Sequence, residues 1–225
     1  MFRDRGHAGK LLVHRLAHIR PSDAIILGVA RGGVPVAYEI SCALSVPLDV
    51  IVVRRLTVPQ HSSLTVGAVT EDGIRTPDHG LPWVRRCGPA DTASAETWAR
   101  TEVARMTQLY RDHREAPRLD GRTAVVVDDA VISTATAWAS CRSARARGAE
   151  RVVFAAPMIA PDAVACLAQV CDEVTNVVAP LRVSSTDTWY EHCPTVTDDE
   201  VLLLLRRRSG LQRATRRQSQ DAVTH

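Results

Sequence analysis
The sequence predicts an α/β fold built on a central parallel sheet flanked by helices. Three observations carry this. Short apolar runs rich in β-branched residues recur along the 225-residue chain. They do not alternate polar with apolar, which is how strands buried on both faces read. Helical stretches separate them, and an alternation of strand and helix implies parallel pairing through crossovers.

In chain order, the first helix carries His14 and His18 at i, i+4. Without a third ligand nearby they read as a solvated face rather than a metal pair. The first strand is "AIILGVA" (24–30), followed by the helix "VPVAYEISCALSV" (34–46) and the strand "DVIVV" (49–53). Residues 56–89 break the rhythm. "LTVGAVTEDGIRT" reads as a hairpin turning at Asp72-Gly73, and the Pro- and Arg-rich stretch behind it suits a lid over a site. A long helix follows in "DTASAETWARTEVARMTQLYRDH" (91–113), where Met106 and Tyr110 form a packing pair. The strand "TAVVVD" (123–128) leads to the helix "ATAWASCRSARARG" (135–148), stopped at Gly148. "RVVFAA" (151–156), the helix "PDAVACLAQV" (161–170) and "EVTNVV" (173–178) complete the alternation.

Composition narrows the class. The chain is 45% hydrophobic and 24% charged, ordinary globular usage. No apolar run reaches the roughly 18 residues of a membrane helix, and the start lacks a secretory h-region. Six cysteines without a CxxC pair argue against zinc and against a disulfide framework. A reduced, cytoplasmic protein is expected, with no membrane partner. The net charge of +3 is unevenly placed. Residues 206–225 hold six Arg and one Asp, a net +5, which leaves −2 for residues 1–205. The expected division is therefore a single domain over 1–205 and a basic, disordered tail over 206–225 that contributes nothing to stability. Nucleic-acid contact through that tail is the alternative reading.

Asp128 and Asp129 end the strand "TAVVVD", at the sheet edge where ligands of open parallel sheets sit. Two like charges are costly together unless something needs them. A Walker-type phosphate site fails, because the sole lysine, Lys10 in "GHAGKL", has the wrong spacing and no strand before it. A phosphorelay receiver fails for want of a lysine late in the sheet. A sugar-phosphate site remains. Carboxylates accept hydrogen bonds from vicinal ribose hydroxyls, and the helix start after them offers backbone N–H groups and the hydroxyls of Ser133, Thr134 and Thr136 to a phosphate. Helix capping would explain one of those hydroxyls.

"VVVDDAVISTAT" (125–136) resembles the phosphoribosyl pyrophosphate motif of the type I phosphoribosyltransferases. "LGVARGGVPVAYEI" (27–40) is similar to that family's pyrophosphate loop, "PLDVIVVRRLTVP" (47–59) to its basic strand end, and "DTWYEHCPTVTDDEVLLLL" (187–205) to the C-terminal portion of a bacterial branch. The resemblance implies that fold, with a hairpin or lid excursion and a small C-terminal hood. It implies an enzyme that transfers the phosphoribosyl group of phosphoribosyl pyrophosphate to a nitrogen acceptor, a nucleobase, releasing pyrophosphate. Mg²⁺ would arrive on the substrate's own oxygens, with no protein metal ligand. Catalysis would rest on Asp128, Asp129, Arg31, Arg54 and Arg55, and the substrate on Ala30, Arg31, Gly32, Asp128, Asp129, Ser133, Thr134, Ala135 and Thr136. Trp189 and Tyr190 would reach the acceptor, and a homodimer is the family's habit.

The branch reads DDGxATGAT, so Ala130 and Thr134 stand at its glycine positions, Ser133 stands for Thr, and Thr57 and Ser63 depart after the basic strand. A left-handed Thr134 would be strained by about 1–2 kcal/mol. These departures keep a second reading open: a catalytically impaired protein of the same fold, binding a nucleotide or sugar phosphate in a regulatory role.

Overall fold
All six residues of Ala24–Val29 are buried, and this strand, β1, lies inside a five-stranded sheet. With β2 (Leu48–Ile51), β6 (Thr123–Val127), β7 (Arg151–Met158) and β8 (Glu173–Val178) it forms the order β2-β1-β6-β7-β8, parallel throughout. The computed structural model describes residues 1–58, 61–77, 89–111, 115–131, 134–181 and 185–223. The five strands are those the apolar runs predict, with ends differing by a residue or two.

The non-alternating runs have a direct cause. Ile25, Leu27 and Val29 pack with Ala124, Val126, Val152 and Phe154 under α4 (Thr134–Ala146) and α5 (Pro161–Leu167). Ile26, Val125, Val127 and Val153 face the other way, against α1 (Arg5–Arg15) and α2 (Gly33–Leu44). Both faces are covered, so every position is apolar. Asp4 caps α1 by accepting a 2.7 Å hydrogen bond from the His7 N–H.

The excursion forms a second, antiparallel sheet, β3 (Val53–Val58), β4 (His61–Thr70) and β5 (Arg75–Pro77), turning at Asp72-Gly73 as predicted. The stretch 78–88, where the lid was expected, lies outside the described residues. The long helix α3 (Pro89–Arg111) packs Ala99, Val103, Met106 and Tyr110 on this sheet. Arg111 donates to both Glu71 and Asp49, and its Nη2 also donates to the Val50 carbonyl at 2.8 Å. The buried guanidinium thereby ties α3 to both sheets. Across the core, the Cys141 and Cys171 sulfurs lie 3.2 Å apart as free thiols.

One boundary needs correcting. The division expected at 205/206 falls inside α6 (Asp198–Val223). Arg208 is buried, donating from Nε to Ser41 Oγ at 2.6 Å and from Nη2 to the Ser41 and Val46 carbonyls. Those carbonyls lie at and just beyond the end of α2, where the Val46 N–H already donates to the Ser41 carbonyl and Ser41 Oγ to the Val46 carbonyl. Arg208 adds a charged donor to both carbonyls, so α6 is tied to α2 at least as far as Arg208.

Candidate active site
The carboxyl ends of β1 and β6, together with β3, surround a cavity of about 600 Å³. Beyond β1 the chain turns at Arg31 and Gly32 into α2. Glycine is required there by close approach. A Cβ on Gly33 would lie 2.3 Å from the Val127 carbonyl oxygen, and one on Gly32 would lie 2.2 Å from Asp129 Oδ2. The turn after β1 and the acidic pair after β6 are therefore in contact, and the first turn of α2 opens beside the carboxylates.

Asp128 is 9% exposed. Its Oδ1 accepts the Asp129 backbone N–H at 2.9 Å. Burial, and then the neighbouring charge of Asp129, push its carboxyl well above the usual carboxylate range. Asp129 has a different environment. Arg5 Nε donates to Asp129 Oδ2 at 2.7 Å, Arg5 Nη1 donates to the Pro194 carbonyl at 2.7 Å, and the Tyr190 hydroxyl donates to the Asp129 carbonyl at 2.8 Å. Burial opposes the charge of Arg5, yet Asp129 holds its guanidinium above its ordinary value.

The opposite wall is cationic. Arg54 lies over the Trp98 ring at 5.3 Å, and its buried Nε has no hydrogen-bond partner among the described residues. Burial lowers its pKa, as do the charges of Arg31 and Arg55, against a smaller opposing pull from Glu102. Arg31 Nε is 2.8 Å from Asp198 Oδ1, close enough for an ion pair but not aligned for a hydrogen bond. The cavity thus gathers several guanidinium groups and the two carboxylates of Asp128 and Asp129 in its lining.

Of the expected residues, Ala30, Arg31, Gly32, Arg54, Arg55, Asp128, Asp129 and Thr136 line this cavity together. Thr134 and Ala135 do not. Thr134 opens α4, and Ala135 is buried with its carbonyl accepting from Thr76 Oγ1 at 3.0 Å. Ser133 lies outside the described residues. Neither Ala130 nor Thr134 has positive φ; Ser45 is the one non-glycine residue that does among those described. Left-handed strain at Thr134 is therefore absent. Trp189 and Tyr190, expected to reach the acceptor, are not among the residues that line the cavity. Tyr190 is buried 5.5 Å from the Phe2 ring.

Arg5, Trp98, Thr65, Thr186, Asp187, Cys193 and Thr195 line the cavity without having been singled out. Arg5 is one of several arginines in a polar opening, and Trp98 reads as a packing residue of a long helix. No local pattern marks either, since chain entry and α3 meet the sheet edge only in three dimensions.

Known proteins resemble this chain in sequence and in fold. A family model described as "Phosphoribosyl transferase domain" matches residues 5–183. Two curated Mycobacterium tuberculosis proteins, MT0597 (strain CDC 1551 / Oshkosh) and Rv0571c (strain ATCC 25618 / H37Rv), are each named "Putative phosphoribosyl transferase". Each is 39% identical over 207 residues, covering 92% of this chain and 47% of the relative. The chain therefore spans about half the length of the curated relatives it matches. The crystal structure of TT1426 from Thermus thermophilus superposes with a TM-score of 0.72 at 32% identity, covering 91% of this chain and 97% of that one. The AQ2163 protein from Aquifex aeolicus shares the fold at a TM-score of 0.51 and 10% identity, over 81% of this chain and 77% of its own.

Proposed function
The chain belongs to the phosphoribosyl transferase family, and from that membership we propose that it transfers the phosphoribosyl group of magnesium-bound phosphoribosyl pyrophosphate to a nitrogen acceptor of the nucleobase class, releasing pyrophosphate. The observation that carries this is the convergence of Arg31, Gly32, Arg54 and Arg55 with Asp128 and Asp129 on one cavity. Guanidinium groups and carboxylates lining one cavity suit a ligand that carries both anionic groups and a diol.

The step breaks the bond from C1 of the ribose to the pyrophosphate oxygen and forms one from C1 to the acceptor nitrogen. Negative charge grows on the departing oxygen, so groups that meet it in place lower the barrier most. Arg54 supplies a cation whose Nε has no hydrogen-bond partner among the described residues, and Arg31 and Arg55 add to the same field. An anion there relieves their mutual repulsion. The carboxylates of Asp128 and Asp129 accept the ribose hydroxyls and hold C1 between leaving group and acceptor, the positioning that makes displacement effectively intramolecular. Thr136, the residue of the first turn of α4 that lines the cavity, would meet the 5-phosphate.

Calorimetric titration with phosphoribosyl pyrophosphate and Mg²⁺, followed by assay of pyrophosphate release with a panel of nucleobases, tests this. Saturable binding and release with one acceptor are expected. Binding without release for any acceptor would favour the regulatory binding role, and no binding at millimolar substrate would remove the proposal.

A further inference from the structure
Arg5 is the residue of the cavity for which the proposed reaction has no use. It enters from α1, far in sequence from every other group that touches the acids. Its side chain is 13% exposed and that of Asp129 14%, so the pair is largely shielded from water. Three contacts converge on it: Nε to Asp129 Oδ2, Nη1 to the Pro194 carbonyl, and the guanidinium against the Tyr190 ring at 5.7 Å. Tyr190 in turn donates to the Asp129 backbone carbonyl. Asp129 is thereby held at its carboxylate by α1 and at its main chain by the C-terminal segment. Asp128, by contrast, accepts from the Asp129 N–H alone among the hydrogen bonds seen in the described residues.

We propose that Arg5 is a positioning residue for the ribose half of the site: it fixes the Asp129 carboxylate and sets a countercharge against one member of the acidic pair in a shielded cavity. The inference rests on the proposed sugar-phosphate reading of the cavity and adds a residue to it. Two adjacent carboxylates in low dielectric do not ionise independently, and a guanidinium on one of them breaks their equivalence. Burial and the Asp129 charge that raise the Asp128 carboxyl are consistent with that inequality. The consequence is a division of labour, with Asp129 the anchored acceptor for ribose hydroxyls and Asp128 the member whose charge is costly. The pyrophosphate wall, built from Arg31, Arg54 and Arg55, receives no contact from Arg5 and should not sense its loss.

The test separates the two halves of the ligand by titrating ribose 5-phosphate and inorganic pyrophosphate as independent probes. In Arg5→Gln, ribose 5-phosphate should bind about tenfold more weakly, equivalent to about 1.4 kcal/mol, while pyrophosphate affinity is unchanged. Arg5→Lys, which keeps the charge but not the fork, should recover part of the loss. Introducing Arg5→Gln into Asp129→Asn should cost nothing more, because the path runs through Asp129. Additive losses in the double variant would make Arg5 a direct ligand and overturn the inference. Equal weakening of both probes would mark general damage, and tighter ribose 5-phosphate binding would mark a blocking contact; either overturns it. Wild-type protein that binds neither probe would instead remove the sugar-phosphate reading on which it stands.

Discussion
Asp128 illustrates at the residue scale how burial turns into measurable behaviour. An unfolded aspartate titrates near about 3.9, and the folded carboxyl lies above that because burial and Asp129 oppose its charge. Between those two values the folded state keeps a proton that the unfolded state has lost. Stability from this group is therefore complete below the unfolded value and falls as pH rises through the folded one. Arg55 from β3 pulls the other way, and Tyr190 lies close enough to feel the pair. Asp128→Asn cannot ionise and can still accept the Asp129 N–H. Its melting temperature should gain on wild type steadily from acid to neutral pH, and a constant offset in paired thermal melts would refute the burial argument. The glycines of the neighbouring turn give a second contrast. Gly33→Ala drives a Cβ toward backbone at 2.3 Å and should destabilise the fold by about 1–3 kcal/mol. Gly32→Ala meets the Asp129 carboxylate instead, so ribose 5-phosphate affinity should fall more than stability does. Denaturant melts and calorimetry on the two variants distinguish these outcomes.

Among elements, α4 and α6 depart most from the sequence reading. Because Thr134 opens α4 without positive φ, Thr134→Gly has no strain to relieve. Glycine should cost up to about 1 kcal/mol there, lowering the melting temperature without tightening ribose 5-phosphate binding. A clear gain in affinity would show that the threonine side chain crowds the ligand. In α6, Arg208→Ala strips a charged donor from the Ser41 and Val46 carbonyls and should cost about 3 kcal/mol. Removing the residues after Arg208 should leave the melting temperature unchanged. The central strands β1, β6 and β7 were legible because burial on two faces leaves an almost unbroken apolar signature, and the antiparallel hairpin because Asp-Gly marks its turn. Arg208 was not legible. An arginine in a basic run looks solvated until the carbonyls it answers, at the far end of another helix, are known. Asp128, Asp129, Arg31 and Arg54 could be read because they sit at strand ends, whereas Arg5 and Trp98 arrive from helices whose docking no local pattern encodes.

For the whole molecule, the Arg111–Glu71–Asp49 cluster joins the two sheets through α3, with Arg147, just past the end of α4, close by. Glu71→Ala would leave the buried Arg111 undercompensated and should cost about 3–5 kcal/mol, seen as a lower denaturant midpoint with the cavity unchanged in position. The cavity itself draws its walls from Arg5 at one extreme and Val196 at the other, while Phe2 pairs with Tyr190 and its carbonyl accepts the Glu191 N–H at 2.8 Å. This closure has a consequence in time. During vectorial synthesis all five parallel strands leave the ribosome before Tyr190 does, so a nascent chain can assemble its sheet while the acidic pair still lacks its clamp. Long-range contacts of this kind are the slowest to close. In pulse-labelled hydrogen exchange, the Asp129 amide should accordingly gain protection after the amides of β1 and β6, making the binding pocket the last part of the molecule to mature.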